Sequence, residues 1–226
     1  MDQNNLNDAP VMSQKDIMIT NIRKECKKIL EKYFDGRDYD ENKVNLWKEY
    51  ALEEMNYFLK SNYVDFGFLI LFFAIKLGKA RNDDRHIQRN DTDSAFTETI
   101  KTKAMWVVMS IQFYKLYKAE KNHIENIEEI IFLKMNDIIT NKLENEKFSY
   151  DIINIKSNEI VDDMNNFLLD RKIQTKPCSY LACYIMEKPM NFKFDYKIIN
   201  LKYIPLMVSF SNKSLYARLI LFIFNN

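Results

Sequence analysis

The chain repeats itself, and this limits its folds more than any other feature. Ile29–Leu59 lies over Ile138–Leu168 without a gap. Identical residues fall at Ile29/Ile138, Asn45/Asn154, Met55/Met164, Asn56/Asn165, Phe58/Phe167 and Leu59/Leu168. Acidic residues pair at Asp35/Glu144, Glu53/Asp162 and Glu54/Asp163. Each copy is followed by an apolar stretch, FGFLILFFAIK in the first and CSYLACYIMEK in the second. TIKTKAMWVVMSIQF and VSFSNKSLYARLILF come later in the same order. A sequence built this way folds as two related units, so the repeat is settled before single elements are assigned.

Within each unit the apolar period changes from helical to strand-like. Ile19, Ile22, Cys26, Ile29 and Tyr33 follow helical spacing. Ser13 with Asp16 makes an N-terminal capping pair, and Gly36 can end the helix in the left-handed conformation. Val44, Trp47, Ala51, Met55, Phe58 and Asn62 trace a second stripe, widened by Leu52 and Leu59. The second unit offers Ile124, Ile127, Ile131, Met135 and Ile138, then Ile153, Ile160, Met164, Phe167 and Leu168. Asp40 and Asp151 stand where second-helix caps belong.

Four strands are expected after each helix pair. Phe66–Lys76 and Ser179–Lys188 are apolar at nearly every position, so both of their faces must be covered. Helices cover one face, and the sheet of the other unit is the candidate for the second. Arg85–Asp93 and Phe192–Asn200 are second strands. Thr97–Thr102 and Leu206–Ser211 are third strands, and Ala104–Phe113 and Ser214–Phe224 are fourth strands. Pro205 is expected at a strand entry, where a missing N–H is tolerated. The fold class is therefore α+β: two tandem units, each with two helices packed on a four-stranded antiparallel sheet. Residues 1–15 read as a disordered tail, 16–118 as the first domain and 124–226 as the second.

Composition narrows the function. In 226 residues, 33 Lys and Arg face 32 Asp and Glu, a balance that argues against a general nucleic-acid or polybasic membrane binder. Only three Gly are present, which leaves little room for glycine-loop phosphate chemistry. The polar N-terminus is expected to carry no secretory signal. The longest apolar run, Phe66–Ile75, is half of the ~20 residues a spanning helix needs. Cys26, Cys178 and Cys183 are odd in number and lack paired spacing, which suits a reducing intracellular setting.

Little points to an enzyme. His86 and His123 stand apart in polar surroundings, and no His/Cys group has zinc spacing. Asp83, Asp84, Asp91 and Asp93 read as a solvated loop. Ser149 and Thr20 lack a nucleophile context. Trp47 and Trp106 read as core residues, and the 11 Met as core filling. The Lys-aromatic alternation of NFKFDYK reads as an ordinary strand rather than a base-stacking platform. No catalytic residue, metal site or cofactor is expected.

Several of these residues together resemble the Tctex-type dynein light chains. That family has a Tyr ahead of a Lys-Val-Asn-x-Trp helix start and an aromatic-initiated strand ending in Met-Gln-Lys. It closes with an Asn-Lys-Thr-Met-Tyr turn into a hydrophobic last strand. Here the first unit has Tyr39, then Lys43, Val44, Asn45 and Trp47, then Phe66–Lys76 and Lys103–Ala104–Met105–Trp106. The second has Asn154, Tyr180 through Met186–Glu187–Lys188, and Asn212–Lys213–Ser214–Leu215–Tyr216, with Lys156 where the Trp would stand. The resemblance spans about residues 16–118 and 124–226. It departs at the second strands, RNDDRHIQRNDTDS and NFKFDYKIIN, where the family has a Gly-containing start and a Cys-x-Trp-Asp end.

Joined to the repeat, the resemblance implies an intramolecular pseudo-dimer that is monomeric as a chain. It implies a non-catalytic dimerisation and cargo adaptor of a dynein complex, in the cytoplasm and on the cytoskeleton, whether cytoplasmic dynein or axoneme. Partners would be the dynein intermediate chain, other dynein subunits and cargo proteins, with no nucleic acid and no membrane insertion. The family analogy puts the partner-binding edges at Thr97, Glu98, Thr99, Ile100 and Lys101 and at Met207, Val208, Ser209 and Phe210. The alternative is a non-motor structural scaffold of a flagellar, basal-body or cortical assembly, which the departure at the second strands favours.

Overall fold

The computed structural model describes residues 13–77, 95–115, 127–171, 179–188 and 192–225. They form α1 (Gln14–Phe34), α2 (Glu41–Asn62), β1 (Phe66–Lys76), β2 (Ala95–Lys101) and β3 (Met105–Lys115). There follow α3 (Ile127–Leu143), α4 (Tyr150–Asp170), β4 (Ser179–Glu187), β5 (Phe192–Ile199), β6 (Lys202–Ser211) and β7 (Leu215–Asn225). The fold is α+β, with two antiparallel sheets ordered β2-β3-β1-β5 and β4-β7-β6.

Local chemistry sets the helix ends. Ser13 and Asp16 form the expected capping box, so α1 begins two residues inside the stretch read as tail. Gly36 takes φ +65° just past its end. Asp40 Oδ1 accepts from the N–H groups of Asn42 and Lys43 and caps α2. The cap of α4 is Ser149 rather than Asp151, which lies in the first turn, where its charge suits the helix dipole. Asn62 is exposed rather than part of the inner stripe of α2. Its Nδ2 instead donates back to the Phe58 carbonyl, four residues earlier in the last turn, at 2.8 Å.

The repeat is visible in what is buried. Ile22, Cys26, Ile29, Leu30 and Phe34 of α1 become Ile131, Met135, Ile138, Ile139 and Leu143 of α3, each number rising by 109. Ala51, Met55 and Leu59 become Ile160, Met164 and Leu168 by the same shift. The order β2-β3-β1 recurs as β6-β7-β4.

Three apolar layers result. α1 and α2 pack on one face of the first sheet through Phe68, Ile70, Phe72 and Ala74 of β1 and alternate residues of β3. α3 and α4 pack on the second sheet through Leu215, Ala217, Leu219 and Leu221 of β7 and Leu206 and Val208 of β6. Between the sheets lie Leu69, Leu71, Phe73, Val108, Ala182, Ile220 and Phe222. The two-sided burial expected of β1 is thus met by helices on one face and the other sheet on the second. β4 is less completely buried, because β7 is its one neighbour among the described residues.

The expectation of four strands per unit needs correction. β5 belongs by sequence to the second half, yet it pairs with β1, from Phe68↔Ile199 to Ile75↔Phe192. The first sheet therefore takes its fourth strand from the other half, and the described second sheet has three. The FKFDYKII alternation explains the placement. Phe194, Tyr196 and Ile198 enter the layer between the sheets. Lys193, Asp195 and Lys197 face α2 and meet charges of the first half. Lys193 pairs with Glu41 and Asp195 with Lys48, each at 2.7 Å, and Lys197 pairs with Glu53. The other expected second strand, Arg85–Asp93, lies outside the described residues, as do His86, His123, Cys178, Ile124 and the acidic loop residues Asp83, Asp84, Asp91 and Asp93.

Candidate partner-binding edges

The two segments singled out in sequence lie at corresponding places. Thr97–Lys101 are in β2, the outer strand of the first sheet, and Met207–Phe210 are in β6, the outer strand of the second. Among the described residues neither strand has a partner on its far side. An antiparallel ladder uses alternate residues for its bonds, so the other set of N–H and C=O groups faces outward.

Hairpin contacts fix which set is which. Asn212 N–H donates to the Leu215 carbonyl at 3.1 Å, and these two continue the β6–β7 register below Ser211↔Tyr216. Counting back by alternation, Val208, Phe210 and Leu206 bond inward to β7. Tyr203, Pro205, Met207, Ser209 and Ser211 face outward. Pro205, expected at the strand entry, is instead inside β6, and its missing N–H falls on the outward set. In the first sheet Thr102 N–H donates to the Met105 carbonyl at 2.8 Å. Phe96, Glu98 and Ile100 therefore bond inward, and Ala95, Thr97, Thr99 and Lys101 face outward.

Side chains alternate between the two faces. On the helix side of β2, Phe96 is buried, Ile100 packs on the core of the first half, and Glu98 pairs with Arg23 of α1 at 3.4 Å. Arg23 also lies 5.1 Å from the Phe96 ring centroid. On the other face Thr97 Oγ1 donates to Ser110 Oγ at 3.2 Å, while Thr99 and Lys101 are exposed. In β6, Val208 and Leu206 are buried under α3 and Phe210 packs beside them. Met207 packs in the layer between the sheets. The Tyr216 hydroxyl donates to Ser209 Oγ at 3.0 Å.

Cys26 and Cys183 are buried, and burial pushes both thiols up, that of Cys183 to about 12, so neither supplies a thiolate near neutral pH. Among the described residues no three His, Cys, Asp or Glu side chains gather as a metal site. A cleft of about 340 Å³ between α2, β5 and β6 includes Glu53, Lys197 and Tyr203 in its lining, and the Glu53 and Lys197 charges are spent on each other. No described helix is long and apolar enough to cross a membrane.

Three features escaped the sequence reading: the outward parity of Pro205, the Arg23–Glu98 pair, and the capture of β5 by the first sheet. Pro205 carried a usable signal, since proline inside a strand marks an unpaired edge. The other two join residues far apart in the chain, beyond the reach of local pattern. No family model matches the chain, and no curated protein matches it.

Proposed function

We propose that the chain is a non-catalytic adaptor of the Tctex dynein light-chain type. Its two halves act as a pseudo-dimer within one polypeptide, at the cytoskeleton, in a cytoplasmic or axonemal dynein. An extended segment of a dynein intermediate chain pairs with an outer strand. Backbone bonds supply affinity, and alternate side-chain contacts supply choice of sequence. Other dynein subunits and cargo proteins would join through the same body.

One observation carries this reading. The strand order β2-β3-β1 recurs as β6-β7-β4, with β2 and β6 outermost in their described sheets, each with outward backbone groups on one side. Two such edges on one body raise avidity for a paired partner without any new contact.

Capture on the full-length tagged chain from a dynein-containing extract, read by mass spectrometry, tests the proposal. Dynein intermediate chain is expected in the retained fraction. Retention of basal-body, flagellar or cortical structural proteins with no dynein subunit would instead favour the scaffold role.

A further inference from the structure

The two edges differ in chemistry. In the first half the helix-side lip of the edge is charged, with Arg23 on α1 paired to Glu98 on β2. The shift of 109 that superposes α1 on α3 puts Phe132 at the place of Arg23. The hairpins superpose with a shift of 110, Thr102/Met105 on Asn212/Leu215, and this puts Val208 at the place of Glu98. An ion pair in one half is thus replaced by two apolar side chains in the other. Phe132 is 44% exposed, so this replacement leaves a large ring at the surface of a helix that packs on β6. Residues 203–211 of β6 include no charged side chain.

We infer that the β6 edge is selective for an extended, uncharged segment with apolar side chains at alternate positions, and that the β2 edge is not. The inference rests on the strand-addition reading of these edges. A strand laid beside β6 turns every second side chain toward α3, where it continues the row Leu206, Val208 and Phe210 and meets Phe132. A charged side chain there would lose water and find no counter-ion in β6, and a carboxylate or ammonium so treated is costly. An apolar one buries surface that Phe132 leaves open. Backbone sets the frame. Met207, Ser209 and Ser211 offer successive outward N–H groups, and Pro205 ends the series by lacking one. At β2 the outward set Ala95, Thr97, Thr99 and Lys101 has no proline, and the Arg23–Glu98 pair keeps the lip polar.

The probe is a fluorescein-labelled peptide of about eight residues alternating valine and serine, titrated into the full chain by fluorescence polarisation and by calorimetry for stoichiometry. A glutamate–serine peptide serves as control. One valine–serine peptide per chain is expected, with the control silent. Phe132→Arg should weaken binding by about tenfold or more. The pair Arg23→Phe with Glu98→Val should raise the stoichiometry to two. Melting transitions confirm that each variant is folded. Two peptides per unmodified chain, or equal binding of the control, overturns the selectivity. So does unchanged affinity in Phe132→Arg; if Met207→Pro then abolishes binding, strand addition stands and only its assigned chemistry fails. Binding that survives both Met207→Pro and Ser209→Pro overturns the inference; if Thr99→Pro then abolishes it, the peptide adds at β2 and strand addition stands, and if binding survives Thr99→Pro as well, the strand-addition reading falls with the inference.

Discussion

Gly67 and Leu201 meet where the chain passes from one sheet to the other. A Cβ on Gly67 would stand 2.3 Å from Leu201 Cγ and within 2.8 Å of both its terminal carbons. Leu201 follows Asn200, which takes φ +58° and donates its side-chain amide to the Phe66 carbonyl at 3.1 Å. These residues turn β5, in the first sheet, into β6, in the second. The missing side chain at Gly67 is therefore a condition of joining the halves.

Gly67→Ala should lower stability in urea unfolding by about 1–3 kcal/mol, the range for overpacking a filled site. Adding Leu201→Ala should recover part of that loss, because the two changes act on one space and are not additive. A neutral Gly67→Ala would mean that the crossing is looser than its contacts.

Much of this arrangement was legible in sequence, and the rest was not, for definite reasons. The helix stripes through Ile22, Cys26 and Ile29 were readable because a 3.6-residue period points one row at one surface. Continuous apolarity in Phe66–Lys76 announced two covered faces. The alternation of Phe192–Ile199 announced one apolar and one charged face. Local pattern does not say whose sheet a strand joins, and that choice depends on Glu41, Lys48 and Glu53, more than a hundred residues earlier. The candidate edges were placed by family analogy. Their parity became readable only with the Asn212–Leu215 bond in hand.

Trp47 and Lys156 occupy equivalent positions of α2 and α4, 109 residues apart. Trp47 is half-buried, edge-on to Phe34 at 6.1 Å and covered by the Arg37 guanidinium at 4.7 Å. Trp47→Ala should cost about 2 kcal/mol, less than the full penalty for a wholly buried aromatic. Lys156 is also half-buried and contacts Glu146 and Glu159 at 3.3 Å each, which holds its ammonium above the usual lysine range. Lys156→Ala should leave a smaller loss than Trp47→Ala, and one that added salt reduces, because its pairs keep enough exposure to be partly screened. Chemical unfolding at low and high ionic strength separates the two cases.

Two of the pairs between α2 and β5, Glu41 with Lys193 and Glu53 with Lys197, should make the join of the halves sensitive to acid. Hydrogen bonding to Lys193 holds the Glu41 carboxyl below its ordinary range, and hydrogen bonding to Lys197 does the same for Glu53. A lowered folded-state value adds stability above the unfolded carboxylate range, and this is lost as pH falls through the folded value. The melting temperature should therefore fall below about pH 4.5. Part of that fall should vanish in Lys193→Gln with Lys197→Gln. Both carboxyls are solvent-exposed, so the difference should be small and should shrink with salt. Identical acid profiles for the two proteins would show that the pairs add nothing to the join.

The layer between the sheets buries Phe73 and Phe222 and packs Tyr184 and Phe194 on Phe73, all within one chain. The full-length protein should therefore run in light scattering near its chain mass of 27.2 kDa at all dilutions. A stable species of twice that mass would mean that strands are exchanged between chains rather than within one.

Proline placement tests the edges most directly. Met207 and Thr99 face outward, and Val208 and Glu98 bond inward. Proline removes one N–H and is tolerated where that N–H has no ladder partner, as Pro205 already is. Thr99→Pro should keep the melting transition within a few degrees of the unmodified chain, Met207→Pro should lower it only by the packing its side chain gives up between the sheets, and each should abolish strand addition at its own edge. Val208→Pro and Glu98→Pro should each break an inward bond, at about 1–3 kcal/mol for the stranded partner alone. Val208→Pro should cost more than Glu98→Pro, since the Val208 side chain is 4% exposed and is lost from the core under α3. If the outward variants unfold the chain as readily as the inward ones, β2 and β6 are paired on both sides and cannot accept a partner. If Met207→Pro folds and the intermediate-chain segment still binds with undiminished affinity while Thr99→Pro abolishes that binding, the segment adds at β2.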